Sequence, residues 1–202
     1  MKNTKIKLVL VVLLISGLSF NLNSCKPAEN TNAELEKTIV QVVKAFQEND
    51  AATLNKMISP DKGLTILFRR GVLDEFVKLD KIDFANPVPD YNFYAAFTAV
   101  DKVVFESLPT FDCESMKWSK SGLFCDTTVA DQILSTAALN QNEFGGQQIA
   151  ETDINAMKEL EKNSKRVVLS DAQGGELVFY LTKINDQWFL TIVDRVTSDC
   201  SA

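Results

Sequence analysis

The pattern of apolar and polar positions predicts helices in the first part of the chain and strands in its last third. A capping-box pattern at Thr31 and Glu34 precedes apolar residues that recur on one helix face, which predicts a helix over residues 32–48. Asp50 is expected to cap a second, short helix that ends before Pro60. These helices would present one apolar face to the rest of the domain.

The middle of the chain gives weaker periodic signals. A strand is predicted over residues 63–68, and residues 72–79 fit one or two helical turns. Arg69, Arg70 and Gly71 would interrupt that strand, either as a solvated turn or as an anion contact. The remaining elements are short strands at 103–105 and 123–124 and two helices at 130–139 and 153–162.

The last third alternates as β-strands do. Strands are predicted at 167–169, 177–184 and 188–193, and Asn185-Asp186 tolerates the left-handed backbone of a two-residue hairpin turn. If Ile184 faces Gln187, the face that carries Leu177, Phe179, Leu181 and Lys183 opposes Asp194, Ile192, Leu190 and Trp188. This face is the more apolar, so we expect it to point at the core.

That register leaves the carboxylate of Asp194 at the end of an apolar face. Burying a charge is costly unless it is paired or hydrogen-bonded. Three interpretations remain open: the strand has reached solvent there, an arginine such as Arg69, Arg166 or Arg195 meets the carboxylate, or Asp194 lines a pocket.

The front of the chain reads as a secretory signal peptide over residues 1–24. Three lysines precede an apolar run over residues 8–20, about 13 residues, while a bilayer span needs about 20. The following Leu22-Asn23-Ser24-Cys25 resembles the bacterial lipobox. This resemblance implies cleavage before Cys25 and attachment of lipid to its thiol, which would anchor the protein to a membrane. Residues 25–32 would form the lipidated tether, and residues 33–202 a single globular domain.

Charge and composition exclude some classes of partner and of catalytic chemistry. Without residues 1–24, 18 basic residues face 27 acidic ones, a formal charge of −9, which argues against a nucleic-acid partner. The chain contains no histidine, which excludes serine–histidine and cysteine–histidine catalysis and every histidine metal site. We therefore expect no metal and no cofactor. Lys26 stands where an aspartate would favour the inner membrane, so the cell envelope, and the outer membrane within it, is the expected location.

The other three cysteines allow three disulfide pairings in an oxidising compartment. Cys113, Cys125 and Cys200 remain once Cys25 carries lipid. We favour Cys113–Cys125, because it closes the shortest loop around a hairpin-like segment, and Cys200 would then be the odd thiol.

The order of elements resembles the NTF2-like superfamily: helices, an early strand, a helical excursion and a terminal meander with the strands FYLTKI and WFLTIVD. The resemblance implies an α+β fold in which N-terminal helices pack on a curved antiparallel sheet that wraps them into a cone. It leaves function open, because this fold hosts enzymes and binding domains alike. Enzymes of the superfamily often use an Asp-His pair, which this chain lacks.

The expected function is therefore that of a non-catalytic, lipid-anchored envelope protein. It would bind a small apolar ligand or another envelope protein. The alternatives are an enzyme that uses Asp194 as a general base, and a purely structural or inhibitory envelope protein.

Overall fold

The computed structural model describes residues 31–98 and 100–201, so the predicted signal peptide, the predicted lipobox and Cys25 lie outside the described residues. The described residues form four helices and nine strands. The helices are α1 (Thr31–Gln47), α2 (Ala51–Met57), α3 (Ile133–Glu143) and α4 (Glu151–Lys162). The strands are β1 (Leu64–Arg70), β2 (Leu73–Leu79), β3 (Val103–Val104), β4 (Phe111–Asp112), β5 (Lys117–Trp118), β6 (Gly122–Asp126), β7 (Ser164–Ser170), β8 (Glu176–Ile184) and β9 (Gln187–Asp194).

The two N-terminal helices form as their sequence predicts. Leu35, Ile39 and Val42 are buried along one face of α1. The Asp50 carboxylate accepts the backbone N–H of Thr53 at 3.0 Å, so it satisfies one of the free donors at the start of α2. Both predicted helices are thereby confirmed.

Residues 73–79 form a strand, so the helical prediction for residues 72–79 is wrong. β2 pairs antiparallel with β1, and Gly71, with φ at +79°, makes the turn between them. Side chains at odd and even positions of β2 face opposite sides of the sheet, and all but one of the seven residues are half-buried. β1 itself continues through Arg69 and Arg70 instead of stopping at Phe68.

Seven strands make one open, mostly antiparallel sheet in the order β2-β1-β9-β8-β7-β6-β3. Two pairs are parallel: β1 with β9, and β3 with β6. The short strands β4 and β5 form a separate two-stranded hairpin. The α+β class is confirmed in this form, as four helices with a large sheet that does not close.

Helices cover both faces of this sheet. On one face, α1 and α2 pack with side chains of the central strands, among them Ile66, Phe179, Leu190 and Val193. On the other face, α3 and α4 cover a smaller cluster, which includes Leu67, Tyr180, Ile192 and Val196. The space between α1 and the sheet is therefore filled by buried side chains.

The β8–β9 hairpin follows the expected register only near its turn. Asn185 and Asp186 both have positive φ, and Leu181 lies opposite Leu190 as predicted. Beyond that pair a bulge shifts the register by one residue, so Tyr180 lies opposite Ile192 and Thr191 has no direct partner. The shift moves Ile192 from the α1 face to the α3 face, so this part of the predicted face assignment is wrong.

The disulfide joins Cys113 to Cys200, with their Cα atoms 5.7 Å apart, so the predicted Cys113–Cys125 pairing is wrong. Cys125 lies inside β6 opposite Val167 and is completely buried in the α1-side core. Cys113 lies in the exposed loop between β4 and β5. The two residues therefore belong to different environments, and the C-terminal tail reaches the hairpin instead.

Candidate functional site

A wide surface cleft lies beside the β4–β5 hairpin. We call it the hairpin cleft, and it measures 690 Å³. The hairpin forms one wall, the β7–β8 turn forms another, and the C-terminal tail closes the base. The cleft is lined by Phe111, Met116, Lys117, Trp118, Ser121, Asp171, Ala172, Gln173, Gly174, Glu176 and Ser198.

The hairpin presents an aromatic pair in a fixed arrangement. Phe111 and Trp118 lie opposite each other, with ring centroids 5.3 Å apart in an edge-to-face geometry. The Asp112 carboxylate accepts the backbone N–H groups of Glu114 and Ser115, which organises the turn. Those hydrogen bonds, from Glu114 foremost, hold the pKa of the Asp112 carboxyl below its usual value. The turn ends at Met116, which has φ at +53° and a side chain that is 60% exposed.

Glu176, the first residue of β8, joins the hairpin to the C-terminal tail. One of its carboxylate oxygens accepts the indole N–H of Trp118 at 2.6 Å, and the other accepts the hydroxyl of Ser198. The Cys113–Cys200 disulfide connects the same two segments covalently. The cleft wall is thus held by a charge-assisted hydrogen bond and a covalent bond at once.

Asp171 shapes the opposite wall. Its carboxylate accepts the backbone N–H groups of Gln173 and Gly175 within the β7–β8 turn, and that of Thr98 from the neighbouring segment. Burial is the largest single influence on the pKa of the Asp171 carboxyl and raises it, but these donors together outweigh burial and hold the pKa below its usual value. A side chain at Gly175 would meet the Ala96 carbonyl oxygen at 2.6 Å, so the close approach requires glycine here.

A second, smaller cleft of 310 Å³ adjoins the first and shares Glu176 and Ser198 with it. We call it the tail cleft. Arg195 organises it by donating to the carbonyl oxygens of Val88 and Phe93, while its guanidinium lies 4.6 Å from the Tyr94 ring centroid. The two clefts together form one continuous surface around the C-terminal tail.

Arg69 secures the tail from the other side. Its guanidinium forms an ion pair with Asp74 at 2.8 Å and donates to the Asp199 carbonyl oxygen at 2.6 Å. The structure therefore uses Arg69 for internal bonds. It lies in β1 and not in a turn, which corrects the solvated-turn interpretation.

Exposed apolar side chains gather at this end of the sheet. Val72 is 81% exposed, Phe93 69% and Tyr91 56%, in addition to Met116 in the hairpin. Lone exposed apolar residues are ordinary, but a group beside a cleft is typical of interaction surfaces. This group belongs to the turn after β1 and to the chain segment that crosses the end of the sheet.

The start of α1 lies at the opposite end. A groove formed by Glu34, Lys37, Asp186 and Trp188 shows that α1 begins beside the β8–β9 turn. Glu176 and that turn are separated by the length of β8, nine residues or about 27 Å. A tether at the N-terminus would therefore leave the hairpin cleft uncovered.

Asp194 lies beside the tail cleft, but its side chain has no solvent-exposed surface. Because of the β8–β9 bulge it faces α3 and not α1, which corrects the predicted face. Arg166 meets its carboxylate at 2.9 Å, and Val196 and Thr197 donate three further hydrogen bonds. With its oxygens occupied in this way, Asp194 fastens the chain after β9 and does not offer a carboxylate to a ligand.

A second buried carboxylate, Glu161 at the end of α4, has a similar internal role. It accepts the backbone N–H groups of Leu134 and Ser135, so it caps the start of α3 from another helix. Burial raises the pKa of the Glu161 carboxyl despite these donors. Burial likewise raises the pKa of the Cys125 thiol to about 12, which makes it an inert core side chain.

Sequence reasoning missed the residues that form the hairpin cleft. Phe111, Trp118 and Glu176 carry no motif, and the relevant signal was only the hairpin-like composition around Cys113. Cys25, the predicted lipidation site, lies outside the described residues.

Within residues 31–98 and 100–201, no group of three or more histidine, cysteine, aspartate or glutamate side chains could hold a metal ion. No helix in the same ranges has the length and apolar character to cross a membrane. Comparison with known proteins finds no family model, no curated protein and no solved structure that matches this chain.

Proposed function

We propose that this chain is a lipid-anchored, non-catalytic protein of the cell envelope that binds another envelope protein through the hairpin cleft. The single observation behind the proposal of a protein partner is the rigid aromatic wall formed by Phe111 and Trp118. Glu176 and the Cys113–Cys200 disulfide hold this wall in place. Aromatic residues and methionine are enriched at protein interfaces, and preorganised side chains lose little entropy on binding.

A protein partner fits better than the small apolar ligand that the sequence also allowed. In an NTF2-like cone a small ligand would lie between the helices and the sheet, where this chain has buried side chains such as Ile39, Leu54 and Phe179. The hairpin cleft is open and mixes aromatic with charged groups, which suits a protein surface.

We further propose that the fold is an NTF2-like variant with an open sheet. Its support is the order of elements, with α1 and α2 on one face and the meander from β7 to β9 at the end. The enzyme alternative gains no support from Asp194, whose oxygens are occupied by Arg166 and by the residues that follow it.

The anchor is tested by fractionation and mass spectrometry. We expect Cys25→Ala to release the protein from membranes, and the mature wild-type protein to carry acyl chains on Cys25. A Cys25→Ala protein that stays in the membrane fraction would refute the lipid anchor and leave the binding surface untouched.

The binding surface is tested by capture from intact envelopes after chemical cross-linking. We expect Met116→Asn to reduce the captured partner at least about tenfold, because it removes an exposed apolar anchor while asparagine tolerates the positive φ. Val129→Asn is the matched control, since Val129 is 52% exposed and does not line the hairpin cleft. Equal capture by wild type and Met116→Asn, or an equal loss with Val129→Asn, would exclude this surface.

A further inference from the structure

β2 is an edge strand of the seven-stranded sheet, and its outer edge carries backbone groups that β1 does not use. Gln141 Nε2 donates to the Asp74 carbonyl oxygen at 2.8 Å, so this carbonyl points away from β1. In antiparallel strands the N–H and C=O of one residue point to the same side, and the side alternates along the strand. The backbone groups of β2 that point to this outer edge are therefore those of Asp74, Phe76 and Lys78, and among the described residues the Asp74 carbonyl oxygen already accepts from Gln141.

An open groove runs beside this edge. It measures 280 Å³ and is lined by Glu75 and Phe76 of β2 together with Gln141, Gln147 and Ile149 from the α3–α4 region. Phe76 and Ile149 are the apolar members of this lining, and the other three are polar. A further strand along β2 would cover Phe76 and contact the polar side chains.

The sequence of β2 is complementary to itself when two copies run antiparallel. Centred on Phe76, the pairing sets Asp74 of one copy opposite Lys78 of the other, twice, and Phe76 opposite itself. It also joins all three residues whose backbone groups point to the outer edge. Centring on Asp74 or on Lys78 would instead oppose like charges, which destabilises a strand pair.

We propose that β2 pairs with β2 of a second copy of this chain, antiparallel and centred on Phe76, so that two sheets become one. Asp74 would then lie between Arg69 of its own chain, at 2.8 Å, and Lys78 of the second copy. The Asp74 carbonyl oxygen has two lone pairs, so it can keep Gln141 and accept the N–H of Lys78 as well.

The symmetry of this dimer suits two tethered chains. The two-fold axis of an antiparallel strand pair stands perpendicular to the sheet, so it keeps α1 of both copies on the same face. Both N-termini therefore leave from one side of the joined sheet. The two hairpin clefts lie at the ends of other strands and stay uncovered.

The mass of the purified protein in solution tests the dimer, and a charge reversal tests its interface. We expect sedimentation analysis to give twice the monomer mass, and Lys78→Glu to weaken the dimer about tenfold because both ion pairs become repulsive. Lys37→Glu makes the same charge change at an exposed position of α1 and should leave the dimer unchanged. A monomer at every concentration, or equal weakening by both variants, would overturn the proposal.

A cross-link reports the register. Opposed residues of a hydrogen-bonded pair have Cα atoms about 5.5 Å apart, within disulfide range, so Phe76→Cys should form an intermolecular disulfide on mild oxidation. Val72→Cys, exposed and four residues from the axis, should not. Cross-linking through Val72→Cys alone, or of Phe76→Cys to a different envelope protein, would contradict the pairing. If Phe76→Cys fails to fold, Lys78→Glu still decides.

Discussion

Removal of the Cys113–Cys200 disulfide, by Cys113→Ser together with Cys200→Ser, should lower the free energy of unfolding substantially. The bond links residues 87 positions apart. In the chain-entropy model, a loop of that length restricts the unfolded chain by about 4.6 kcal/mol, against roughly 3 kcal/mol for the 13-residue loop of the alternative pairing. We expect a measured loss of about 2–5 kcal/mol.

Urea unfolding followed by tryptophan fluorescence gives the free energy of unfolding and its denaturant slope. The slope should rise in the double variant, because an unfolded chain without the cross-link exposes more surface. Cys125→Ala is the matched control, since it removes a buried thiol and should cost only about 1 kcal/mol. Two results together would refute the Cys113–Cys200 assignment. Cys125→Ala would cost as much as the double variant, and reduction of the wild-type protein would leave its free energy of unfolding unchanged.

Three further predictions concern buried and charged groups. Arg166→Ala should cost about 3–5 kcal/mol in urea unfolding, because it leaves the carboxylate of Asp194 buried without its cation, whereas Lys162→Ala at an exposed pair should cost less than about 1 kcal/mol. The pKa of the Asp171 carboxyl is lowered in the folded protein, so its stabilising effect is present above its unfolded pKa and is lost as the pH falls through the folded pKa. Asp171→Asn should therefore flatten the acid side of a stability–pH curve below about pH 4. The thiol of Cys125 should resist alkylation at pH 8 in the folded protein and react after unfolding, and rapid native labelling would contradict its burial and its raised pKa.

Local patterns predicted the elements whose stability is local. The capping of α2 by Asp50 and the two-residue turn at Asn185-Asp186 depend on residues only a few positions apart, and both formed as expected. β2 was misjudged, because the pattern of a seven-residue segment in which six residues are half-buried is hard to distinguish from two helical turns. Its strand conformation is fixed by pairing with β1, and the pattern of residues within the segment does not show this pairing.

The candidate site depended on long-range contacts and so escaped prediction. The bulge at Thr191 turns Asp194 to the other face of the sheet, and nothing in the local alternation signals it. The hairpin cleft joins Trp118 to Glu176, 58 positions away, and Cys113 to the last residues of the chain. A short loop costs less entropy to close, so reasoning from the sequence favoured the nearest pair of cysteines. The positions of the cysteines in the folded chain decide instead which pair can meet.

The parallel pairing of β1 with β9 has a consequence for the order in which the chain can fold. Thr65 lies beside Ile192, so the β1–β2 hairpin has no sheet to join until the last strand is available. The disulfide partner Cys200 also arrives last. Contacts between such distant positions are slow to form because a long loop must close first. A chain that is still being made therefore keeps its first hairpin unattached until β9 has been made, and the disulfide cannot form before Cys200 is available.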